Sequence, residues 1–351
     1  YLGITGSVEC AEFDKIHEGI PGRYNVKVTS GSTTYDTQIE VVVAVDEENF
    51  KDAEFMGIVE ALEVENGNGN GTLEVSELDA ITSISLGGSI GGTRHQVKDL
   101  QGIEYFYNLA KLDAQWGYLE KADLSSNTKL TEIYAVHNSI NSLNVSGCVN
   151  LESLYLQQGN KIGELDVSQC VKLYYLQCES AGITNIKLPN ADQNGNVHLN
   201  KLIAFNNSIS KIDLNAYKGA LTGVDIKYQN LGTLTINYDA DSNKYVHTGR
   251  TFGEKTKLYN NSEYTTPLEG FDIENGLLVA EAGVTGSGTG YFESEVIVDN
   301  TEWLLRGSFQ YNLPGRIEVK EAKALHDESG LAGYLGITGS VECAEFDKIH
   351  E

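Results

Sequence analysis

The sequence predicts a mainly β protein with few helices: a central solenoid of short coils, a helical segment at its amino-terminal end, and β-sandwich regions on both sides. Three observations carry that expectation. A leucine-led pattern returns at Leu109, Leu130, Leu151, Leu173, Leu199 and Leu221, with spacings of 21, 21, 22, 26 and 22 residues. A stretch with helical apolar spacing precedes it, and runs of strand-like alternation occupy both ends.

Bulk composition sets the frame. A chain of 351 residues exceeds the size at which one core usually stops growing, so more than one domain is expected. With 40% hydrophobic and 21% charged residues it reads as a folding globular chain. The formal net charge of -25 disfavours nucleic acid and anionic membrane, which need clustered Lys and Arg to replace counterions. No apolar run is long enough to span a bilayer, so no membrane span is expected. The chain opens on Tyr1 with no signal peptide in view, which reads as a mature fragment or a trimmed piece. Five cysteines without a CxxC pair argue against a zinc site and a dense disulfide framework.

The amino-terminal β region is assigned to residues 1–45. Its first eighteen residues, YLGITGSVECAEFDKIHE, recur without change at 334–351. The chain therefore reads as one 333-residue unit followed by the opening of the next. Two origins fit: a natural tandem array, or a copied terminal segment that completes a fold. GITGSVECAEF alternates as a strand does, so the copy at 334–351 is expected to be the strand of the next unit or a donor strand. Gly22 to Val45 gives two strands around a Ser-Gly turn, and a hairpin alone is marginal in water. Partners are on offer in region 239–333, where FDIENGLLVAEAG, YFESEVIVD, EWLLRGSFQY and GRIEVKEA read as strands. The two β regions form either one bisected sandwich or two separate ones. PGRYNVKVTSG resembles the late strands of bacterial immunoglobulin-like domains. Lys27, Lys320, Asp299 and Asn300 offer the residue types of an isopeptide bond, with no fixed pair.

Residues 46–98 are expected to cap the solenoid. Phe50, Phe55, Met56, Ile58, Val59 and Leu62 recur at near-helical spacing, and a solenoid needs its first apolar edge covered. The next stretch, NGNGNGTLEVSE, has the length and glycine placement of an EF-hand-like loop. Asn66, Asn68, Asn70, Thr72, Glu74 and Glu77 are its candidate ligands, and Ca2+ is the one cofactor they would take. All three leading carboxylates are amides here, so weak millimolar calcium binding and a purely structural turn both remain open.

The solenoid is assigned to residues 99–238. Its copies LTEIYAVHNSINSLNVSGC, LESLYLQQGNKIGELDVSQC and LYYLQCESAGITNIKL, followed by LNKLIAFNNSISKIDL and LTGVDIKYQNLGTLTI, resemble the leucine-rich repeats of Bacteroides-type surface proteins. The resemblance runs from about Asp46 to Ile236 and implies an adhesin-like surface role. Each copy gives a short strand and a return leg, and stacking joins their leucines into one core. Pro189 to His198 is an insertion expected on the surface. Asn138, Asn160 and Asn207 fall at the turn after the strand, where an amide can satisfy backbone groups. Cys148 and Cys170 sit one repeat apart and Cys178 replaces an inward aliphatic; all three read as buried thiols before disulfide or metal ligands.

Strand alternation puts Tyr134, Tyr155, Tyr175, Gln157, Gln177 and Phe205 on the open, concave face. An aromatic and polar surface of this kind suits a protein or glycan ligand; equally, stacked tyrosines can simply cover one another. No HExxH, GxSxG or Walker-type loop is present, and GSGTG at Gly286 reads as a turn between strands. The reading is therefore a non-enzymatic module of an extracellular, cell-surface protein. Its copies would join end to end through the shared strand; alternatively it is a monomer that captures a protein or polysaccharide.

Overall fold

Leucine spacing becomes a ladder in the computed structural model, which describes residues 7–87, 89–90, 93–94, 96–298 and 301–313. The second copy at 334–351, the run GRIEVKEA, and Asp299, Asn300 and Lys320 lie outside those residues.

Seven short strands form one parallel sheet in strict sequence order: Ser83–Ser85, Lys111–Asp113, Glu132–Tyr134, Ser153–Tyr155, Tyr175–Gln177, Lys201–Ile203 and Gly223–Asp225. The middle residue of each strand points inward. Ile84, Leu112, Ile133, Leu154, Leu176 and Leu202 are at most 1% exposed. No coil encloses these side chains by itself, so each is buried only because the next coil lies on it. On the return side two further parallel pairs form, Lys121–Asp123 with Ser142–Asn144 and Gly163–Asp166 with Ile183–Lys187. The sheet begins one strand before the first patterned leucine, because Ile84 takes the inward place that Leu112 takes in the next coil.

Six of the seven coils turn, among the described residues, at a residue of left-handed backbone: Trp116, His137, Gln158, Ser180, Asn206 and Tyr228, with φ between 55° and 60°. Their spacing repeats the spacing of the leucines. None is glycine, so each bears a steric cost of about 1 kcal/mol or more that the stacked coils must offset. Amides that follow four of them, Asn138, Asn160, Asn207 and Gln229, stabilise the turns. Asn160 accepts from Ile140 N at 2.9 Å and donates to Ala135 O and Leu156 O. Asn138 and Asn207 do the same work in their coils, and Gln229 takes the place in the last. The insertion is an exposed loop closed on Asp192, which accepts from Asn194 N and Asn196 N and meets His198 at 3.0 Å. Those bonds, that with His198 first, hold its carboxyl down to about 2.

Before the coils, a helix spans Ala53–Asn66, started by Asp52, whose carboxylate accepts from Glu54 N and Phe55 N. Its buried Phe55, Ile58 and Val59 join the same core as the coils, and Phe50 packs on Tyr105 and Phe106. A three-stranded antiparallel sheet precedes it, ordered Ser7–Cys10, Gly22–Ser30, Thr33–Val41. Tyr24, Val26 and Val28 alternate inward along its middle strand.

After the coils come two four-stranded sheets. One is ordered Gln229–Leu234, Thr301–Leu313, Gly286–Val298, Thr256–Tyr259, and the other Asn237–Asp239, Lys244–His247, Leu277–Glu281, Phe271–Glu274. Phe252, Phe292 and Phe309 meet edge to face in the core they share with the coils. Among the described residues no ladder joins these sheets to the amino-terminal one. GSGTG is not a turn: it opens the thirteen-residue strand Gly286–Val298. The glycines serve the partner strand, since a Cβ at Gly288 or Gly290 would fall 2.5 Å from the Tyr311 hydroxyl or 2.3 Å from the Phe309 ring. No helix among the described residues is long and apolar enough to cross a membrane.

Candidate ligand-binding face

The solvent side of the seven-stranded sheet gathers the aromatic residues that the pattern placed there. Tyr134 and Tyr155 are direct cross-strand partners, and their rings stack at 4.6 Å with 5° between planes. Tyr175 is not in that column. The register sets it opposite Ser153, and Tyr155 opposite Gln177. Its ring nonetheless reaches Tyr155 diagonally, at 5.3 Å. The band is thus a staggered stack of three half-buried rings.

Polar partners fix its hydroxyls. Tyr134 Oη donates to Glu132 at 3.2 Å and Tyr175 Oη to Gln177 Oε1 at 3.0 Å. Burial, aided by Glu132, pushes the Tyr134 phenol above its ordinary range, and burial does the same to Tyr175. Both phenols therefore stay protonated donors at neutral pH. At the amino-terminal end Lys111 places its Nζ 4.9 Å from the Tyr134 ring centroid and 3.4 Å from Glu132. A cation already rests on this stack.

Gln157 and Phe205 stand one row further along the strands. Gln158 N donates to Glu179 O and Ser180 N to Phe205 O, so Gln157, Glu179 and Phe205 are neighbours in register. Glu179, absent from the candidate ligand set, is the buried member of the row, 9% exposed. Its place two residues after Gln177 was a signal the sequence held, but nothing there told a buried carboxylate from a solvated one.

The chain is similar to Listeria internalins. An internalin C2 from Listeria monocytogenes shares 20% identity over 54% of this chain and 88% of that one, with a TM-score of 0.33. The functional domain of InlJ from the same organism, which includes a cysteine ladder, shares 13% over 78% of this chain and 98% of that one, at 0.24. An internalin-like protein from L. monocytogenes shares 11% over 78% and 98%, at 0.29. No protein-family model and no curated protein matches the chain. Likenesses this low carry no argument about ligand or partner, and the fold rests on the coil geometry of the chain itself.

The EF-hand-like loop is built from its own hydrogen bonds. Glu77, 1% exposed, accepts from Asn68 N at 3.3 Å and Glu74 N at 2.8 Å. Glu74 accepts from the side-chain amides of Asn68 and Asn70, while Asn70 Oδ1 accepts from Thr72 N at 2.9 Å. Asn66 turns away and donates to Leu62 O. Glu63, which the motif did not include, accepts from Asn70 N at 2.8 Å. The carboxylates of this segment accept from N–H groups, and the amides of Asn66, Asn68 and Asn70 donate within it.

Cys148, Cys170 and Cys178 are free and fully buried. Cys148 and Cys170 donate to Leu124 O and Val145 O on the preceding coil, the place where Asn127 donates to Ile103 O and Phe106 O. Burial pushes both thiols up to about 12.

Proposed function

We propose that this chain is a structural and adhesive module of an extracellular bacterial surface protein, whose copies join end to end by sharing the duplicated strand. One observation carries the reading. Ser7–Cys10 sits on the edge of Gly22–Ser30 in a fixed antiparallel register, Val8 against Val28 and Cys10 against Val26, and the same residues return as Ser340 to Cys343.

A strand edge offers unpaired N–H and C=O groups to any chain with the right alternation, which is how extended segments add to sheets. The repeated segment has that alternation by identity. The first copy holds that edge only lightly, with Val8 49% and Phe13 62% exposed beside a hollow of about 860 Å³ lined by Cys10, Val26 and Thr37, so an identical strand from another copy can compete for the same place. A head-to-tail contact of this type is not self-complementary, so it builds a linear array wherever its rotation does not close into a ring. Bacteroides-type repeat texture and immunoglobulin-like flanks belong to the same reading, supported by the sequence motifs, by the antiparallel sheet before the coils and by the two sheets after them, one antiparallel and one mixed.

The test compares the full chain with a version ending at Gly333 by sedimentation velocity and negative-stain microscopy. Concentration-dependent linear oligomers from the full chain alone are the expected result. If the two behave alike, the duplication is only a module boundary and strand sharing is wrong.

A second reading, capture of a soluble ligand on the tyrosine stack, is favoured by the 4.6 Å ring pair on an open sheet face. It predicts that Tyr134→Ala with Tyr155→Ala removes ligand binding while leaving the circular dichroism spectrum intact.

A further inference from the structure

Two acceptors beside the tyrosine stack have nothing to accept from. Glu179 is 9% exposed, and its Oε1 receives Gln177 Nε2 at 3.0 Å. Its Oε2 is buried with no hydrogen-bond partner, and so is Oε1 of Gln157, its neighbour in register. Leaving a carboxylate oxygen buried and unpaired is strongly unfavourable, more so than a neutral glutamine in its place. A folded chain tolerates that cost where the missing partner arrives from outside.

The chemistry of the missing group follows from the atoms left over. Both are acceptors only, so the guest brings donors; one carries charge, so the guest is a cation. The surroundings agree. Tyr175 lies two residues before Gln177 on the same face, its ring 5.3 Å from that of Tyr155, and Phe205 stands in register on the far side of Glu179. Aromatic faces attract cations, and Lys111 over Tyr134 at 4.9 Å shows the stack already doing so at its other end.

We propose that Glu179, Gln157 and the Tyr155–Tyr175 pair form a receptor for a cationic side chain of a partner protein, an arginine guanidinium before a lysine ammonium. The planar fork of arginine can satisfy two oxygens at once and lie on a ring, whereas an ammonium is a point charge. Gln157 and Gln177 are half-buried, so the acceptors are reached from the solvent side of the sheet. The chain's net charge of -25 draws such a partner in. This inference rests on the second reading, ligand capture on the tyrosine face, and names its ligand.

The experiment titrates the full chain by calorimetry with acetyl-Gly-Arg-Gly-Arg-Gly-amide and with the same peptide carrying citrulline for arginine. Variants are Glu179→Gln, Tyr134→Ala with Tyr155→Ala, and Glu164→Gln as an exposed acid on the return side. Expected are binding of the arginine peptide and a loss of about tenfold or more for both citrulline and Glu179→Gln. Glu164→Gln should change nothing, and Glu179→Gln should raise the melting temperature of the free chain. No binding to the unaltered chain overturns the proposal, as does an equal loss in Glu164→Gln, which would mark bulk charge. A fall in melting temperature for Glu179→Gln overturns it too, because the carboxylate is then satisfied within the fold. If the tyrosine variant abolishes binding and Glu179→Gln does not, the cation site falls and the ligand face stands. If the tyrosine variant binds as before, both fall.

Discussion

At the scale of single residues, stability is held by amides placed where coils meet. Asn160 is 4% exposed and satisfies one N–H and two carbonyls that water cannot reach. Asn160→Ala should therefore cost about 2–3 kcal/mol in urea unfolding, well beyond a surface change, because three backbone groups lose a partner at once. Asn138, Asn160 and Asn207 were legible in the sequence as a recurring letter. Gln229 was not, since one more methylene hid that it fills the same rung. The left-handed turns were hidden more deeply: Trp116, His137, Gln158, Ser180, Asn206 and Tyr228 share a backbone conformation and no side-chain chemistry. Thiol chemistry gives a second residue-scale test. Thiols held near 12 carry almost no thiolate at pH 8, so iodoacetamide should leave Cys148 and Cys170 unmodified in the native chain and label Cys10, which is partly exposed. Labelling of the two buried thiols before unfolding would show that the coils open locally.

At the scale of elements, the segment ahead of the coils has two duties that the pattern merged into one. We propose that the Ala53–Asn66 helix caps the first coil, supported by Asp52, which caps the helix and also accepts from Lys98 N and Asp99 N beside the coils. The apolar spacing of Phe55, Ile58 and Val59 announced the helix, but the tie from Asp52 to a backbone 46 residues away left no trace in local sequence. Gly102 tests the packing under it. Its φ is +103° and a Cβ there would lie 2.3 Å from Phe50 Cδ1, so Gly102→Ala should destabilise by about 3 kcal/mol and loosen the Phe50–Phe106 contact. An unchanged unfolding midpoint would mean that Phe50 does not anchor the segment. The loop after the helix bears on calcium. Glu63, Glu74 and Glu77 are engaged by N–H donors of Asn68, Asn70 and Glu74, a self-contained turn. About 5 mM calcium should then give no heat and no shift in melting temperature; a saturable shift would make the motif a metal site after all.

At the scale of the molecule, charge sets the sign of the last prediction. Two copies each carrying a formal charge of -25 repel, and the seat between them offers little to oppose it. Along Ser7–Cys10 the register places one pair of opposite charges, Glu9 beside Lys27, while Val8 and Cys10 face Val28 and Val26. Main-chain bonds and apolar contact hold such a joint, and neither weakens when salt shortens the screening length from about 10 Å at 0.1 M towards 3 Å at 1 M. Raising salt should therefore lengthen the oligomers seen in sedimentation and leave the version ending at Gly333 monomeric throughout. Binding of an arginine peptide at Glu179 should move the opposite way, weakening as salt rises, because there the attraction is between unlike charges. The two trends separate a joint between copies from a receptor for a cation on one chain. If added salt instead dissolves the oligomers, ion pairs hold the copies together and the shared strand is not their joint.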